Sequence, residues 1–352
     1  MAQGGIVFRG EMFKLTFAPE ASYGTDPGTS AYTRVFGVVQ TATMPDPSIE
    51  LFPIYALGTN AKRNWYVNYM GKVTLNGSIP DIWLLNGFPL YMAVGSVVDS
   101  GTAAPYTHTV VETVDLKSVS VHATQLRSDG SNGICRRWLG GKVNRQTLEA
   151  TEGDFLKCSI DEIIFQNFIH DISGEPYYNS GVADCTGMDF PTSQPYLFSY
   201  GSLTLNGTEF ARIRNFRLEV NNNLETKFYI QNGVSGLRLP YEAREGRREY
   251  RLSCQIDIED NSLYKELVRM GTYTDVYKGF QTIIQFVRGS GDQITITSPT
   301  ATPSGGGDAM GCLIRTAPHN IVTDPVVSTT LDISMRSLGI EIQDSISAYP
   351  GT

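Results

Sequence analysis

Between Tyr250 and Glu259 the chain alternates without interruption. Tyr250, Leu252, Cys254, Ile256 and Ile258 occupy one set of positions, and Arg251, Ser253, Gln255, Asp257 and Glu259 the other. Successive side chains of an extended strand point to opposite faces, so this pattern describes a strand with one face in a core and one in water. A helix would scatter the same residues around its surface. Asp260-Asn261-Ser262 follows, a cluster suited to capping a helix. Leu263, Leu267, Val268 and Met270 then recur at helical spacing up to Gly271, giving a unit of strand, cap, short helix and glycine stop.

The first half carries the same unit. Val73, Leu75, Gly77 and Ile79 alternate with Lys72, Thr74, Asn76 and Ser78, then come Asp81 and an apolar segment from Trp83 to Val94 that ends at Gly95. An offset of 179 residues relates Val73 to Leu252 and Asp81 to Asp260. A second correspondence lies near the end of each half. Leu156, Cys158 and Ile160 alternate with polar neighbours, slip phase at Glu162 and resume with Ile163 and Phe165. Leu331, Ile333 and Met335 do so with a slip at Ser337, resuming at Leu338 and Ile340, an offset of 175. A one-residue slip predicts a β-bulge in each late strand, and the shared spacing points to an internal duplication.

The expected architecture is mostly β: two tandem sandwich or barrel domains, each with one short helix. An N-terminal arm spans residues 1–30, a first domain 31–170, a Gly-, Pro- and Ser-dense linker 171–195, and a second domain 196–352. Residues 18–30 and 298–311 read as turn-rich segments. The most apolar stretch, Ile82–Val98, contains Asn86, Gly87 and Pro89 and is too short and interrupted to span a membrane. It reads as a buried helix followed by a strand. The N-terminus lacks the basic-then-apolar order of a secretory signal.

Charged residues form only 18% of the chain, and the net charge is −8. That balance speaks against a surface that grips nucleic acid. Five cysteines, at 135, 158, 185, 254 and 312, show no paired spacing and suggest buried free thiols in a reducing compartment. Motifs for nucleophile elbows, phosphate loops, dinucleotide binding and zinc are missing, and His108, His122, His170 and His319 stand apart. Neighbouring carboxylates such as Asp161 and Glu162 fall on polar strand faces or in turns, where solvated charge is expected. The basic clusters Arg136, Arg137, Lys142, Arg145 and Arg244, Arg247, Arg248, Arg251 read as salt-bridge partners for acidic neighbours. No catalytic residue, metal ligand or cofactor is expected.

Several segments then point to one family. EASYGTDPG at residues 20–28 resembles the early loop of siphovirus-type bacteriophage tail tube proteins, and Pro105–His108 followed by LKSVSVHAT fits the same pattern. CRRWLGGKVNRQTLEATEGDFLKCSIDEIIF is similar to the family's long hairpin, and YLFSYGSLTLNGTEFARIRNFRLEVNNNLE to a second domain with an Asn-rich turn at Asn221–Asn223. The resemblance implies a structural subunit that assembles in the host cytoplasm into stacked rings around a channel for genome delivery. Two fused copies imply a trimeric ring with pseudo-sixfold symmetry. The implied partners are other copies of the chain, the tape measure, terminator and distal tail proteins, and passing double-stranded DNA, with no membrane. An adhesin or carbohydrate-binding β-module, or another virion ring such as a tail terminator or baseplate part, is the alternative. On the tube reading, Glu149, Glu152, Asp154, Asp161, Asp257, Glu259 and Asp332 are the candidate lumen-facing acids, giving a weakly adhesive negative wall.

Overall fold

The computed structural model describes residues 8–54, 67–127, 134–170, 193–205, 207–210, 213–229, 238–257, 279–300, 311–316 and 328–349. The first half runs β1 (Phe8–Pro19), β2 (Val38–Val39), β3 (Ser48–Ile54), β4 (Val67–Thr74), β5 (Asn76–Trp83), α1 (Phe88–Val94), β6 (Gly95–Ser100), β7 (Tyr106–Glu112), β8 (Val119–Arg127), β9 (Ile134–Thr151), β10 (Lys157–Ile164) and β11 (Asn167–His170). The second runs β12 (Gly201–Leu205), β13 (Thr208–Phe210), β14 (Ile213–Asn221), β15 (Glu225–Lys227), β16 (Glu242–Arg244), β17 (Glu249–Asp257), β18 (Thr282–Gly289), β19 (Asp292–Ser298), β20 (Leu313–Thr316), β21 (Ser328–Met335) and β22 (Gly339–Asp344). The chain is mostly β, as its alternation requires.

One main sheet follows the path β2-β5-β10-β9-β14-β17-β21-β20, so strands of both halves join at β9 and β14. The ladder there runs from Thr151 opposite Asn215 to Arg145 opposite Asn221. A second sheet, β13-β12-β18-β19-β22-β7-β6, also mixes the halves. The apolar faces of the two sheets meet in one core, where Phe216 of β14 lies 5.6 Å from Phe286 of β18. In β17, Tyr250, Leu252, Cys254 and Ile256 are buried while Arg251 is exposed, as the alternation predicts. Cys135, Cys158, Cys254 and Cys312 are buried free thiols, and burial pushes the Cys254 thiol up to about 12. Cys185, Glu259 and the expected helix at residues 263–270 lie outside the described residues, as do positions 171–192 of the expected linker and 301–310 of the loop.

Three expectations need correction. The alternation at 72–79 is not one strand: it breaks at Leu75, so that β4 pairs with β3 in a small separate sheet while β5 pairs with β10. Asp81 is no helix cap. It sits inside β5 at φ 53°, where a bulge carries the strand on to Trp83. The helix starts later, at Phe88, and Gly87-Phe88-Pro89 begins it rather than interrupts it, because proline in the first turn forfeits no hydrogen bond. Finally, the phase slip at Glu162 is a bulge in β10, with shifted register against both neighbours, but the slip at Ser337 is a crossing. There β21 ends at Met335 and the chain passes to β22 in the other sheet. Sequence phase cannot separate the two cases, since either moves the apolar set by one residue.

Helix α1 is buried along its whole length, which poses a problem for its C-terminal carbonyls. The second half solves it. Asn222 Nδ2 donates to Ala93 O at 3.0 Å and Val143 O at 2.9 Å, Arg248 donates to Val94 O at 2.8 Å, and Arg248 Nε also donates to Asn222 Oδ1 at 2.6 Å. Asn222 is almost wholly buried. Replacing it with Ala removes the side-chain donor from the buried Ala93 and Val143 carbonyls and the acceptor from Arg248 Nε–H, and should destabilise the chain by about 2–4 kcal/mol. A shift of the urea midpoint measures the loss, and an unchanged midpoint would refute this role.

Candidate functional site

The face of the main sheet that points away from the core is a lattice of charge. Its cross-strand order places Lys157 opposite Glu149, Glu149 opposite Arg217, Arg217 opposite Ser253, and Ser253 opposite Asp332. The adjacent row reads Ser159, Thr147, Glu219, Arg251 and Ser334. Arg217 reaches Glu149 at 3.3 Å and Glu219 at 2.8 Å, and Arg251 grips both oxygens of Asp332 at 2.7 and 2.8 Å. Thr147 donates to Asp161 at 2.6 Å, and Arg214 pairs with Asp257 at 2.9 Å. Exposed pairs of this kind stabilise a fold by only about 0–1 kcal/mol each, so the lattice matters chiefly as a surface.

Of the candidate acids, Glu149, Asp161 and Asp332 share this face and Asp257 lies at its end. Glu152 and Asp154 sit in the turn between β9 and β10, where Gly153 takes φ 82° and Lys157 holds Asp154 at 2.6 Å. That hydrogen bond, with the one from Phe155 N–H, holds the Asp154 carboxyl below its ordinary range. The surface is mixed rather than bare acid, because Arg145, Arg217 and Arg251 fall between the acids on neighbouring strands. Within the two basic clusters, Arg136 pairs with Asp46, Arg137 with Asp26, Lys142 with Glu245, Arg145 with Glu162 and Arg244 with Glu242, as the sequence suggested.

The loop EASYGTDPG is organised by two carboxylates that sequence reasoning passed over. Glu20 accepts from Gly24 N–H at 2.8 Å, Gly140 N–H at 2.7 Å, Ser118 Oγ at 2.7 Å and Ser120 Oγ. Asp26 accepts from Gly28 N–H at 3.0 Å, Tyr32 at 3.0 Å and Arg137 at 2.8 Å. Gly24 at φ 72° and Gly28 at φ 88° supply the left-handed turns. Burial raises the Asp26 carboxyl, but the Gly28 and Arg137 hydrogen bonds outweigh it and leave the group below its ordinary range. Arg137 also donates to His122 Nδ1 at 3.2 Å, so this ring must be neutral at that nitrogen. Burial and the nearby guanidinium bring His122 down to about 4.

Two histidines thus have partners that spacing hid. His122 joins this loop network, and His108 lies fully buried between Asp99 at 2.6 Å and Asp344 at 3.2 Å, with the Tyr349 ring stacked 3.9 Å away. Tyr349 in turn donates to Asp344 at 2.6 Å, tying residues beyond β22 to the second sheet. These contacts bring together residues up to 250 positions apart, which no local motif encodes.

The His122 result has a direct pH consequence. Its folded-state value lies below its unfolded one, so its share of stability is present above about pH 6.5 and is lost as pH falls toward 4. His122→Gln keeps an acceptor for Arg137 and removes the proton uptake. The wild-type chain should lose up to about 3 kcal/mol more than the variant between pH 7 and pH 4. Urea titrations at both pH values decide this, and parallel losses would disprove it.

The remaining surfaces are edges. Strands β2 and β20 end the path of the main sheet, and the hairpin β3–β4 exposes Ile49, Leu51 and Phe52. No membrane-crossing helix occurs among the described residues. Such a molecule offers sheet edges, a polar face and apolar hairpins, which suit self-association. A search of curated proteins finds no match. The family model described as "Phage tail tube protein" matches residues 14–321, most of the chain. The chain therefore belongs to the phage tail tube protein family, whose members are non-enzymatic structural subunits of the virion tail that assemble into the tube.

Proposed function

We propose that the chain is a duplicated tube subunit of siphovirus type, and that three copies close a ring whose stacked repeats form the channel for genome delivery. One observation carries this reading: the main sheet contains the same strand order twice. In each half the first, second, fourth and third strands lie side by side, as β2-β5-β10-β9 and as β14-β17-β21-β20. A small two-stranded sheet separates the first and second strands both times, β3–β4 in one half and β15–β16 in the other. A hairpin of the second sheet follows the second strand both times, as β6–β7 and β18–β19. On this reading residues 31–170 and 196–352 are the two repeats, with the arm 1–30 and the linker 171–195 outside them.

The β9–β14 ladder then models the contact between copies. In one chain the third-formed strand of the first repeat pairs with the first-formed strand of the second. The counterparts between chains are β20 of one copy and β2 of the next, the two strands left at the ends of the path. Pairing them removes both edges. Three copies would contribute roughly 24 strands to a closed barrel, whose backbone diameter is about 45–50 Å at usual strand spacing and tilt, wide enough for a DNA duplex. The second sheet packs on the apolar face and needs the longer outer perimeter, so the charged lattice faces inward. Its acids repel phosphate, and its arginines, each held by a carboxylate, are poor traps for it.

Electron microscopy of the assembled protein should show tubes built from threefold rings; true sixfold rings, or a chain that stays monomeric at high concentration, would defeat the proposal. The lumen assignment has its own test. Changing Glu149, Asp161 and Asp332 to Lys in a phage particle should leave tubes intact and slow DNA ejection at low salt. Unchanged ejection kinetics would place that face elsewhere.

A further inference from the structure

The second half leans a hairpin onto the first. From the end of β14, the segment carrying β15 and β16 crosses the rim of the first half. Leu224 N–H donates to Asn144 at 2.7 Å, and Lys142 donates to Ala243 O at 3.2 Å and pairs with Glu245 at 2.6 Å. Gln166 donates to Tyr241 O at 2.8 Å, Glu245 also accepts from Leu116 N–H at 3.0 Å, and Val73 N–H donates to Arg238 O at 3.0 Å. The seat is therefore the rim where β9 and β10 bend, β7 ends and β4 passes into β5.

The second half has the corresponding rim, and there it is open. A groove of about 1230 Å³ lies where β17 begins and β19 and β21 end, beside β20. Strand for strand, the start of β17 stands where β5 starts in the filled seat, and Thr300 stands where the chain leaves β7. Arg247, Arg315 and Arg336 line it, all exposed, with no ion pair to another described residue. Of the four glutamates that line it, Glu112 is engaged by Leu338 N–H, Glu219 by Arg217 and Glu245 by Lys142, and Glu249 is exposed. With Arg248 and Arg251, five arginines line the groove against four glutamates, a small basic excess on an acidic chain.

The counterpart of the seated hairpin is β3–β4, which joins β2 to β5 as β15–β16 joins β14 to β17. It has no equivalent seat among the described residues of its own chain: Ile49, Leu51 and Phe52 are 38, 56 and 49% exposed, and Glu50 is exposed between them. We infer that the hairpin β3–β4 of one copy docks in the arginine-lined groove of the next, repeating between chains the contact that β15–β16 makes within one. Glu50 meets the unpaired guanidinium groups, as Glu245 meets Lys142, and the apolar residues leave water. The inference rests on the ring reading above, since it takes its occupant to be a second copy placed by pairing of β20 with β2. It adds a side-chain contact that selects the neighbour, where backbone pairing alone is indifferent to sequence.

The test uses assembled full-length protein with the photoreactive residue p-benzoylphenylalanine in place of Phe52, mixed with an isotope-labelled copy. Phe52 is half exposed, so the fold tolerates the change. Illumination should join position 52 to peptides holding residues 245–251, 299–300 or 334–337, in mixed-isotope products that identify a second chain. Tubes whose crosslinks map elsewhere, or only within one chain, overturn the docking and leave the ring reading intact. Absence of any rings overturns both. As a second measure, Glu50→Arg or Arg336→Glu alone should raise the concentration needed for assembly about tenfold, and the double exchange should recover most of it. Two single variants with unchanged assembly would count against the contact.

Discussion

The ladder between β9 and β14 is the contact on which the rest depends. It runs unbroken from Thr151 and Asn215 to Arg145 and Asn221, and it is continued by Asn222, whose backbone N–H donates to Asn144 O at 2.8 Å. Because of it, the halves do not sit side by side as separate bodies with separate cores. They share the main sheet, and the second sheet is shared as well, through β22 between β19 and β7. One main apolar core among the described residues follows from this arrangement. Helix α1, too short to be stable alone, is held because the other half satisfies its last carbonyls.

The same ladder explains the character of the polar face. A sheet that buries one side must present the other, and antiparallel pairing sets which residues stand opposite. Arg217 between Glu149 and Glu219, and Arg251 beside Asp332, are consequences of register. A one-residue slip would carry those charges into the core, so the lattice and the core specify one another. For a tube subunit such a face has a plain advantage. Its charges are satisfied locally, so that on the proposed lumen reading a passing polyanion would find few free cations to bind.

Edges and hairpins complete the picture of a chain built to meet copies of itself. Open strands at both ends of a sheet are a hazard for a protein that remains alone and an asset for one that assembles. The loop fixed by Glu20 and Asp26 shows how turn-rich sequence becomes rigid here. Two carboxylates collect backbone and hydroxyl donors from residues 118 to 140, binding an early segment against the β8–β9 region. Rigidity of that kind limits the ordering entropy lost when a subunit joins its neighbours.

Alternation at 250–257 and 157–164, the buried cysteines and the bulge at Glu162 were all legible in the chain, because each depends on residues a few positions apart. The resemblance in EASYGTDPG and the long hairpin also located the family, though not the roles of Glu20 and Asp26. What stayed hidden depends on distance along the chain. The break at Leu75 and the crossing at Ser337 leave the same periodic trace as a continuous strand and a bulge, since burial on either of two sheets looks alike in sequence. His108 finds Asp344, Lys142 finds Glu245 and Arg251 finds Asp332 only because the sheets bring those strands together. The sequence by itself determined which face of each strand is apolar, through the two-residue period of the backbone. Tertiary structure alone decided which strands are neighbours, because pairing is fixed by backbone hydrogen bonds and by packing of the shared core, and neither is written in local order.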